Sequence, residues 1–509
     1  MATLLTNFLW WADMSPRSML IDGGRVVVSP TSEPLSGGEV FDCGGQVLLP
    51  KFIDAHCHIL PTGLDLLKLD LSGCATQEEV LDAVRDRVAT TEGWVMAVQY
   101  DQTKYPGGRH ITRAELDAVS GSRPILLRHY NGHASVANSA ALSAAGVNEE
   151  TPDPAGGEFG RGEDGLLNGL LLETAHEYVW ERTPKVSREE MVTAILAAGE
   201  KMADLGIGMA ADMMTGRFNL EDEVWAYREA ARRGCRIRTR LYVQWREVFG
   251  PKGVGLARLR ELEASLYDPD QTRICGIKLF ADGAIGSATA AIYGSYSGQE
   301  ANGPKVSRHG RKTEAEGTSG QLIYSPEKLI EMTRTASDAG YQVAIHAIGD
   351  YATDLVLDAF EATGCPERHR LEHAMILSDA QIERIQRLNP FVTFQPEFLM
   401  RFGHAYRLQL GEERTSLLKR SRSVLDAGIR LSYNSDRPIV PGDPMDGIRT
   451  AVRRPAGFDQ TENVSLHEAV RAYTLAGAEV CGDTNMGSLA VGELADYQFL
   501  SPERWPDSL

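Results

Sequence analysis

Short apolar runs alternate with amphipathic segments from about residue 184 onward. The apolar runs have the length of buried strands, and hydrophobic residues in the amphipathic segments recur at helical spacing. Together with one earlier run of the same kind, the pattern predicts eight strands that alternate with helices. The predicted strands cover residues 51–56, 207–213, 236–243, 274–280, 341–346, 370–374, 391–395 and 429–434.

The segments between these strands carry signals for the start and end of helices. Ser187 followed by Glu190 is a capping-box pattern that opens a helix, and Gly206 is placed to end it. Eight strands, each followed by a helix, are what a (β/α)8 barrel requires. A doubly wound open sheet is the alternative, but no GxGxxG motif follows the first strand. We therefore predict an α/β fold with a TIM-like (β/α)8 barrel.

Three segments lie outside the barrel repeat. Residues 1–50 and 478–509 are punctuated by glycines and have strand-like patterns, so we expect them to pair into one small composite β-sandwich domain. Residues 61–183 are far longer than an ordinary connection of about 2 to 6 residues, which predicts an inserted subdomain after the first strand. The predicted barrel then comprises residues 51–60 and 184–477.

Composition narrows the classes of function. The chain has 509 residues, 43% hydrophobic and 24% charged, as in ordinary folded proteins. Its 52 basic and 70 acidic side chains give a formal net charge of -18, which disfavours nucleic acid and anionic membranes as partners. No apolar stretch approaches the roughly 18 to 20 residues of a membrane span, and the N-terminus lacks the features of a signal peptide. The 7 Cys include no CxxC pair, so we expect a cytoplasmic protein without disulfides that binds a small molecule.

The first predicted strand leads into two histidines, His56 and His58, two positions apart. Side chains at positions i and i+2 of a strand share a face, so both rings can reach one metal ion while Cys57 points away. A hydrogen-bonded structural pair is the alternative. The location favours ligands, because the active sites of barrels gather at the carboxyl ends of the strands.

Four further predicted strands end at ionisable residues. Lys278 lies in an apolar run where an unpaired ammonium would be costly to bury, His346 and His373 close the fifth and sixth strands, and Asp436 follows the eighth. Taken singly, such a lysine is more often ion-paired, such histidines are more often hydrogen-bonded, and such an aspartate is more often a turn or helix cap. Five strand ends of this kind would be an improbable coincidence in a chain without a site.

Four imidazoles and a carboxylate suit Zn(II) or a similar divalent ion. Such an ion lowers the pKa of bound water toward about 7 and polarises a carbonyl group. An aspartate beside it can accept the proton of the water and deliver it to a leaving nitrogen. The residues therefore predict hydrolysis of an amide-like bond, with Asp436 as the catalytic residue.

These residues lie within a set of motifs that extends over nearly the whole chain. In order, the motifs are VLLPKFIDAHCH, YDQTKYPGG, RHYNGHASVANSAAL, GIKLFADGAIGSATAA, VAIHAIGDYATDLVLDAF, RLEHAMIL, NSDRPIVPGDP and SLAVGELADYQFL. With them the sequence resembles the amidohydrolase superfamily, and within it the amidohydrolase-3 branch of YtcJ-like proteins, which includes enzymes similar to N-substituted formamide deformylases.

The resemblance implies a two-metal centre. The implied metal ligands are His56, His58, Lys278, His346, His373 and Asp436. The first two histidines and the aspartate would hold a more buried ion, the other two histidines would hold a second ion, and the lysine would bridge both as a carbamate. The resemblance also suggests His133 as a residue that binds the substrate. Asp101 and Arg437 are two further candidates for substrate binding, although Tyr100, before Asp101, and Arg437 itself depart from the family pattern.

We therefore expect a metal-dependent hydrolase that cleaves a non-peptide carbon-nitrogen bond in a small amide or formamide. The alternatives are a one-metal deaminase or an ester or lactone hydrolase of the same superfamily, and a regulatory homologue without activity. The sequence leaves the substrate, the metal and a homodimeric assembly open. Residues 299–320 are longer and more polar than is usual for the family and form either a lid or a surface insertion.

Overall fold

The computed structural model describes residues 2–130, 132, 134–154, 156–266, 268–297, 311–312 and 317–505. The chain divides into two compact units, one formed by Met1–Leu60 with Ala198–Leu509 and the other by Pro61–Ala197. In the described part of the chain, no helix combines the length and the apolar character that crossing a membrane would require. All seven cysteines are free thiols.

Eight parallel strands form the central sheet of the first unit. Each strand pairs with the next one along the chain, so the order in space follows the order in sequence. This arrangement confirms the predicted barrel and its eight strands. The strands are β1 (Phe52–Cys57), β2 (Ile207–Thr215), β3 (Arg238–Gln244), β4 (Thr272–Phe280), β5 (Gln342–Ala347), β6 (Arg370–His373), β7 (Phe391–Phe394) and β8 (Leu431–Tyr433).

The barrel closes where β1 meets the segment that follows β8. The backbone N–H of Asp436 donates to the carbonyl of His56 at 2.8 Å, and the N–H of His58 donates to the carbonyl of Arg437 at 2.8 Å. We call residues 56–58 and 436–437 the seam. Because the seam joins the first and last strands, it brings side chains from opposite ends of the barrel sequence together at one mouth.

The interior of the barrel is largely apolar, as the hydrophobic runs of its strands require, but it also contains buried charged residues such as the ion pair of Arg370 and Glu372. Side chains of Ile53, Met209 and Tyr242 are buried in one cluster. Asp54 is a polar exception that supports the seam: its carboxylate accepts the backbone N–H of Ser435 at 3.0 Å and the Ser435 hydroxyl at 2.5 Å. Both of these donors belong to Ser435, the residue that precedes Asp436.

Helices follow the barrel strands and begin at the capping signals of the sequence. Ser378 and Gln381 form a reciprocal capping box, and the helix that they open ends at Asn389, which has a φ of 55°. Ser187 and Glu190 cap each other in the same way. The helices after β2 to β8 are Leu220–Arg232, Trp245–Phe249, Leu256–Ala264, Pro326–Asp338, Asp350–Glu361, Asp379–Leu388, Glu397–Thr415, Ser421–Asp426, Pro444–Val452, Leu466–Ala472 and Leu475–Val480.

Smaller elements complete the first unit. Two two-stranded sheets lie between β4 and β5, and short 3-10 helices lie in the connections and near the C-terminus. The short strands are Ile292–Tyr293, Arg311–Lys312, Thr318–Ser319 and Gln321–Leu322. The 3-10 helices are Pro366–Arg368, Gln460–Glu462 and Pro502–Arg504.

The two ends of the chain pair into one six-stranded sheet, in agreement with their strand-like patterns, while a sandwich of two sheets stays a prediction. Strand Tyr497–Leu500 pairs antiparallel with Val47–Pro50, which pairs in parallel with Thr3–Trp10. One face of the sheet packs its own apolar side chains, among them Phe8 and Met19. The remaining strands of this sheet are Pro16–Asp22, Arg25–Thr31 and Glu39–Asp42.

The second unit, Pro61–Ala197, is built on a six-stranded mixed sheet with its own apolar cores. Its strands are Leu69–Asp70, Val95–Tyr100, Ile125–His129, Ala134–Ala137, Gly157–Arg161 and Leu167–Glu173. Its helices are Gln77–Thr90, Arg113–Val119, Ser139–Ala144 and Thr174–Trp180, with a 3-10 turn at Gln102–Lys104. Helices Ile59–Leu66 and Arg188–Asp204 each contain a point of division between the units. The three-domain boundaries expected from the sequence stay a prediction.

Candidate metal centre

Five barrel strands end near ionisable side chains, which are buried except for the partly exposed His346. His56 lies in β1, His58 follows that strand directly, and Lys278 lies in β4. His346 lies in β5, His373 is the last residue of β6, and Asp436 follows β8. The carboxyl ends of parallel barrel strands share one mouth, so these side chains meet there. The structure brings together the six residues His56, His58, Lys278, His346, His373 and Asp436.

His56, His58 and Asp436 form the tightest group. Each offers one ligand atom, and these atoms all lie within 4.8 Å of one another. Asp436 Oδ1 is 3.0 Å from His58 Nε2 and 3.4 Å from His56 Nε2. All three residues are buried. Imidazole nitrogens and a carboxylate oxygen gathered in this way match the donor chemistry of a divalent ion such as Zn(II).

Glu372 orients the His56 ring through a hydrogen bond at Nδ1, while Nε2 of the ring faces Asp436. Its Oε2 lies 2.5 Å from His56 Nδ1, and Thr393 donates to the same oxygen at 2.7 Å. Burial alone would raise the pKa of Glu372, but the adjacent Arg370 guanidinium lowers it below its ordinary value. The side chain is therefore a carboxylate that accepts from His56 Nδ1, which leaves Nε2 of that ring with its lone pair toward the centre.

Lys278 is buried beside this ring. Its Nζ lies 3.3 Å from His56 Nε2 and 4.9 Å from the centroid of the Phe280 ring. Burial lowers the pKa of Lys278 to about 8. Among the residues that the structure describes, the lysine forms no ion pair, which removes the ordinary explanation for an ammonium in this position.

His346 and His373 form a second pair of rings. Their centroids are 4.5 Å apart, and the His373 ring is 4.7 Å from that of His56. His346 Nε2 lies 3.0 Å from the carbonyl of Gly283, and His373 Nδ1 lies 3.0 Å from Gln395 Oε1. A carbonyl oxygen only accepts, so these two nitrogens are the donors. Nδ1 of His346 and Nε2 of His373 are then free to bind a metal.

Burial sets the charge of the centre. It lowers the pKa of His346 to about 4 and that of His373 well below the ordinary value, so both rings are neutral at pH 7. Burial would raise the pKa of Asp436, but the hydrogen bond from His58 and the nearby ring of His56 lower it below the ordinary range. Neutral imidazoles and an ionised carboxylate are the forms that bind metal ions.

Backbone strain coincides with the candidate ligands. His373 has a φ of 69° and Asp436 a φ of 56°, in the left-handed region that residues other than glycine seldom adopt. Such conformations persist only where surrounding bonds hold them, and they are frequent at functional sites. The seam bonds hold Asp436, and a bond to the carbonyl of His373 holds the other residue.

The remaining predicted residues lie in different settings. Arg437 is buried in the loop after β8, where its guanidinium donates to the carbonyl of Pro441. Asp101, in the second unit, caps the turn Gln102–Lys104 by accepting the N–H of Thr103 at 3.0 Å. His133 lies outside the described residues, and so does most of the stretch 299–320. Substrate contacts of these residues and the lid stay predictions.

Sequence reasoning missed several buried polar residues around the centre. Glu372, Gln395 and Lys419 bond to candidate ligands, and Asp282 accepts the backbone N–H groups of the loop after β5. Burial raises the pKa of Asp282 to about 7. One signal was available for Glu372, because a glutamate inside the short strand before His373 has to find a buried partner.

A parallel α/β barrel with histidines, a lysine and an aspartate at the carboxyl ends of its strands is the architecture of a metal-dependent hydrolase. The sequence model described as "Amidohydrolase family", Amidohydro_3, matches residues 39–506. The chain therefore belongs to the amidohydrolase family, as its motifs predicted.

Relatives extend over almost the whole chain. The chain is 30% identical to the putative amidohydrolase YtcJ of Bacillus subtilis (strain 168), over 93% of this chain and 86% of that protein. It is 29% identical to the N-substituted formamide deformylase of Arthrobacter pascens, over 95% of this chain and 90% of that protein. An uncharacterized metal-dependent hydrolase from Pyrococcus horikoshii OT3 has a similar structure, with a TM-score of 0.80 and 27% identity over 99% of this chain and 98% of that one.

Proposed function

We propose that this protein hydrolyses a non-peptide carbon-nitrogen bond in a small amide or formamide. The observation that carries the proposal is the meeting of four histidine rings, one buried carboxylate and one buried lysine at a single mouth of the barrel. The similarity to the formamide deformylase of Arthrobacter pascens supports the amide class.

The donor set suits two divalent ions, with Zn(II) as the favoured metal. His56, His58 and Asp436 would hold the first ion, and His346 with His373 would hold the second. A bound ion of this kind supplies an activated water at neutral pH and polarises the carbonyl of the substrate. Hydrogen bonds to Glu372, to the carbonyl of Gly283 and to Gln395 orient the rings of His56, His346 and His373, respectively. In each ring, the other nitrogen keeps a lone pair that can bind a metal ion.

Lys278 would join the two halves of the centre as a carbamate. Its buried Nζ lies next to His56 and has no ion-pair partner among the described residues. In this modification the neutral amine attacks CO2, a nitrogen-carbon bond replaces one N–H bond, and the displaced proton passes to water. The anionic product offers two oxygen donors and removes the cost of an unpaired buried ammonium.

Asp436 would move the proton during hydrolysis. Its carboxylate sits against His58 Nε2, and its lowered pKa keeps it ionised and ready to accept a proton from the attacking water. The same oxygen can then deliver that proton to the nitrogen that leaves. Arg437, the next residue, would contact the substrate from the loop after β8.

The test is the variant Asp436→Asn, which keeps the size of the side chain and removes the proton acceptor. We expect turnover to fall by at least about 100-fold while the fold is retained. Ser432→Ala is the matched control, because the buried Ser432 hydroxyl bonds, among the described residues, to the backbone carbonyls of Tyr433 and Ala472 and to no candidate ligand. Purified protein with added Zn(II) or Mn(II) is assayed on N-formyl, N-acyl, ureido and ester substrates, and its metal content is measured.

The outcomes of this screen distinguish an amide hydrolase from an ester hydrolase and from a regulatory homologue. Turnover of formyl or acyl amides with two ions per chain supports the proposal. Turnover of esters alone indicates an ester hydrolase, and one ion per chain with unmodified Lys278 contradicts the bridged centre. Wild-type activity in Asp436→Asn removes the role of that residue, and a protein that binds metal but hydrolyses nothing favours a regulatory homologue.

A further inference from the structure

Asp282 is a buried residue beside the centre that the proposed mechanism does not use. It lies in residues 281–291, which follow β4 and which we call the β4 loop. Its Oδ2 accepts the backbone N–H groups of Ala291 and Gly349 at 2.8 Å each, and its Oδ1 accepts that of Ile348 at 3.0 Å. The last two residues connect β5 to the next helix, and we call them the β5 loop. The carboxyl group therefore joins the two loops.

The directions of these three bonds do not depend on the charge of Asp282. A backbone N–H group only donates. The oxygens of a carboxyl group can accept such bonds whether or not the group carries a proton. The connection between the β4 loop and the β5 loop therefore follows from the geometry alone.

The two loops also pack closely. A Cβ atom on Gly349 would lie 1.8 Å from the carbonyl oxygen of Ala291, and one on Gly283 would lie 2.1 Å from Thr289 Oγ1. The same Thr289 hydroxyl accepts the N–H of Ala284 at 3.0 Å, so the β4 loop is folded back on itself. Only glycine permits these approaches without a shift of the backbone.

The joined loops surround one candidate ligand, His346. Its ring Nε2 lies 3.0 Å from the carbonyl of Gly283, the residue after Asp282, and 3.5 Å from Asp282 Oδ1. A carbonyl oxygen only accepts, so Nε2 must carry a proton, and Nδ1 is the ring atom with the lone pair. Asp282 thus holds the backbone that follows His346 as well as the segment that supplies the acceptor of its ring.

We propose that Asp282 is a positioning residue, which joins the β4 and β5 loops so that the Gly283 carbonyl fixes the His346 ring with Nδ1 as its ligand atom. The inference rests on the proposed function, in which His346 binds the second ion. Without the carboxyl group, three buried N–H groups lose their acceptor and the loops separate. The ring is then free to carry its proton on Nδ1, which blocks the ligand atom.

The first readout is the tautomer of His346 in metal-free protein. Histidine is labelled with ¹⁵N, and the ring signals of His346 are assigned by their absence in His346→Ala. We expect wild-type protein to show Nε2 protonated and Nδ1 unprotonated. We expect Asp282→Ala to show Nδ1–H, alone or in a mixture. The wild-type tautomer in folded Asp282→Ala would overturn the proposal.

The second readout is the affinity for each of the two Zn(II) ions, measured by competition with a chelator. We expect Asp282→Ala to weaken binding of the second ion by about 10- to 100-fold. The first ion should keep nearly its wild-type affinity, because none of its proposed ligands bonds to the β4 loop or the β5 loop among the described residues. Equal losses for both ions would contradict a role at His346.

Glu223→Ala is the matched control for Asp282→Ala. Glu223 is a buried carboxyl group that accepts the backbone N–H groups of Gly216, Phe218 and Asn219 in the loop after β2. Among the described residues, its hydrogen bonds reach no candidate ligand. We expect this variant to lose stability but to keep the wild-type tautomer and affinities. The same change of tautomer in both variants would reduce Asp282 to a general structural role.

Gly349→Ala separates the loops without changing the carboxyl group. Gly349 has a φ of −77°, which alanine adopts without strain, so the effect comes from the contact of the new Cβ atom with the carbonyl of Ala291. We expect the same change of tautomer and the same weakening for the second ion. Wild-type values for both would contradict the route through the loops.

Two further outcomes separate this inference from the proposed function. If Asp282→Ala does not fold, Asp282→Asn is used. In either orientation its amide N–H group meets at least one of the three backbone N–H groups, so a mixed tautomer is expected and an unaltered one overturns the proposal. Wild-type protein with the Nε2–H tautomer but no second ion contradicts the proposed function alone. Normal binding of two ions with an unaltered tautomer in the Asp282 variants contradicts the positioning role alone.

Discussion

His56 and Glu372 share a short hydrogen bond, with 2.5 Å between Nδ1 of the ring and Oε2 of the carboxylate. The ring is thereby held with its Nε2 toward Lys278 and Asp436. Glu372 is itself anchored by the buried Arg370, whose guanidinium also donates to the carbonyl of Ala55 at 2.7 Å. The orientation of a candidate ligand on β1 thus depends on an ion pair within β6.

Replacing Glu372 by glutamine should weaken metal binding more than it harms the fold. The glutamine amide would place an N–H group opposite one of the groups that donate to the wild-type carboxylate, so one of these hydrogen bonds would be lost. We therefore expect metal affinity to fall by about 10- to 100-fold in chelator competition. Glu223→Gln is the matched control, because Glu223 is a buried carboxylate that bonds to the backbone N–H groups of Gly216 and Phe218. Equal losses of affinity in both variants would assign the effect to general destabilisation.

Carbamylation of Lys278 should be visible directly. Protein prepared with ¹³C-labelled bicarbonate and Zn(II) is expected to show one carbamate carbon signal, which disappears in Lys278→Met. The metal content should fall at the same time, because the bridging donor is lost. Lys252→Met, at an exposed position, should keep the signal. A carbamate signal that survives in Lys278→Met would refute the assignment.

The Asp54 carboxylate should stabilise the seam measurably. Asp54→Ala leaves the N–H and the hydroxyl of Ser435 without their buried acceptor, and we expect a loss of about 1 to 3 kcal/mol in the free energy of unfolding. Asp54→Asn keeps one oxygen acceptor and should lose less. Thermal unfolding measures both variants, and hydrogen exchange at the amide of Asp436 reports the seam. Identical exchange in wild type and Asp54→Ala would show that the carboxylate does not support the seam.

His369 should make the protein sensitive to acid. It is buried before β6, where its Nδ1 accepts the N–H of Val343 at 3.1 Å, and burial lowers its pKa to about 3. An unfolded histidine binds a proton below about pH 6.5 while the folded ring does not, so stability falls as the pH falls between these values, by up to about 1.4 kcal/mol per pH unit.

The check is His369→Asn, whose Oδ1 can replace Nδ1 as the acceptor for Val343 but does not titrate. Melting temperatures of both proteins are compared at about pH 7 and about pH 5. Wild type should lose more stability on acidification than the variant, because all other titrating groups are common to both. Parallel losses in the two proteins would show that this histidine does not contribute.

The barrel strands were predictable because their signal is local. A run such as residues 274–280 must be buried on both faces, and β4 contains all of it. The limits of the strands were less predictable: residues 429–434 were expected to form the last strand, but β8 is Leu431–Tyr433, since the chain then leaves the ladder to form the seam. That departure depends on β1, which lies far away in the sequence.

The candidate ligands were predictable for a similar reason, since the ends of parallel strands share one mouth whatever the details of packing. Their supporting residues were not. Gln395 matters because β7 lies beside β6, and Lys419 lies between two helices, where no strand periodicity points to a site. The role of such residues is set by which distant segments become neighbours.

The seam determines when the centre can form during synthesis. Asp54 and Ser435, which support it, are 381 residues apart in the chain. Contacts between such distant positions form late, because the entropy of closing the intervening loop has to be overcome first. A growing chain therefore exposes His56 and His58 long before Asp436 exists, and a chain that stopped short of that aspartate would have the first two rings without their carboxylate.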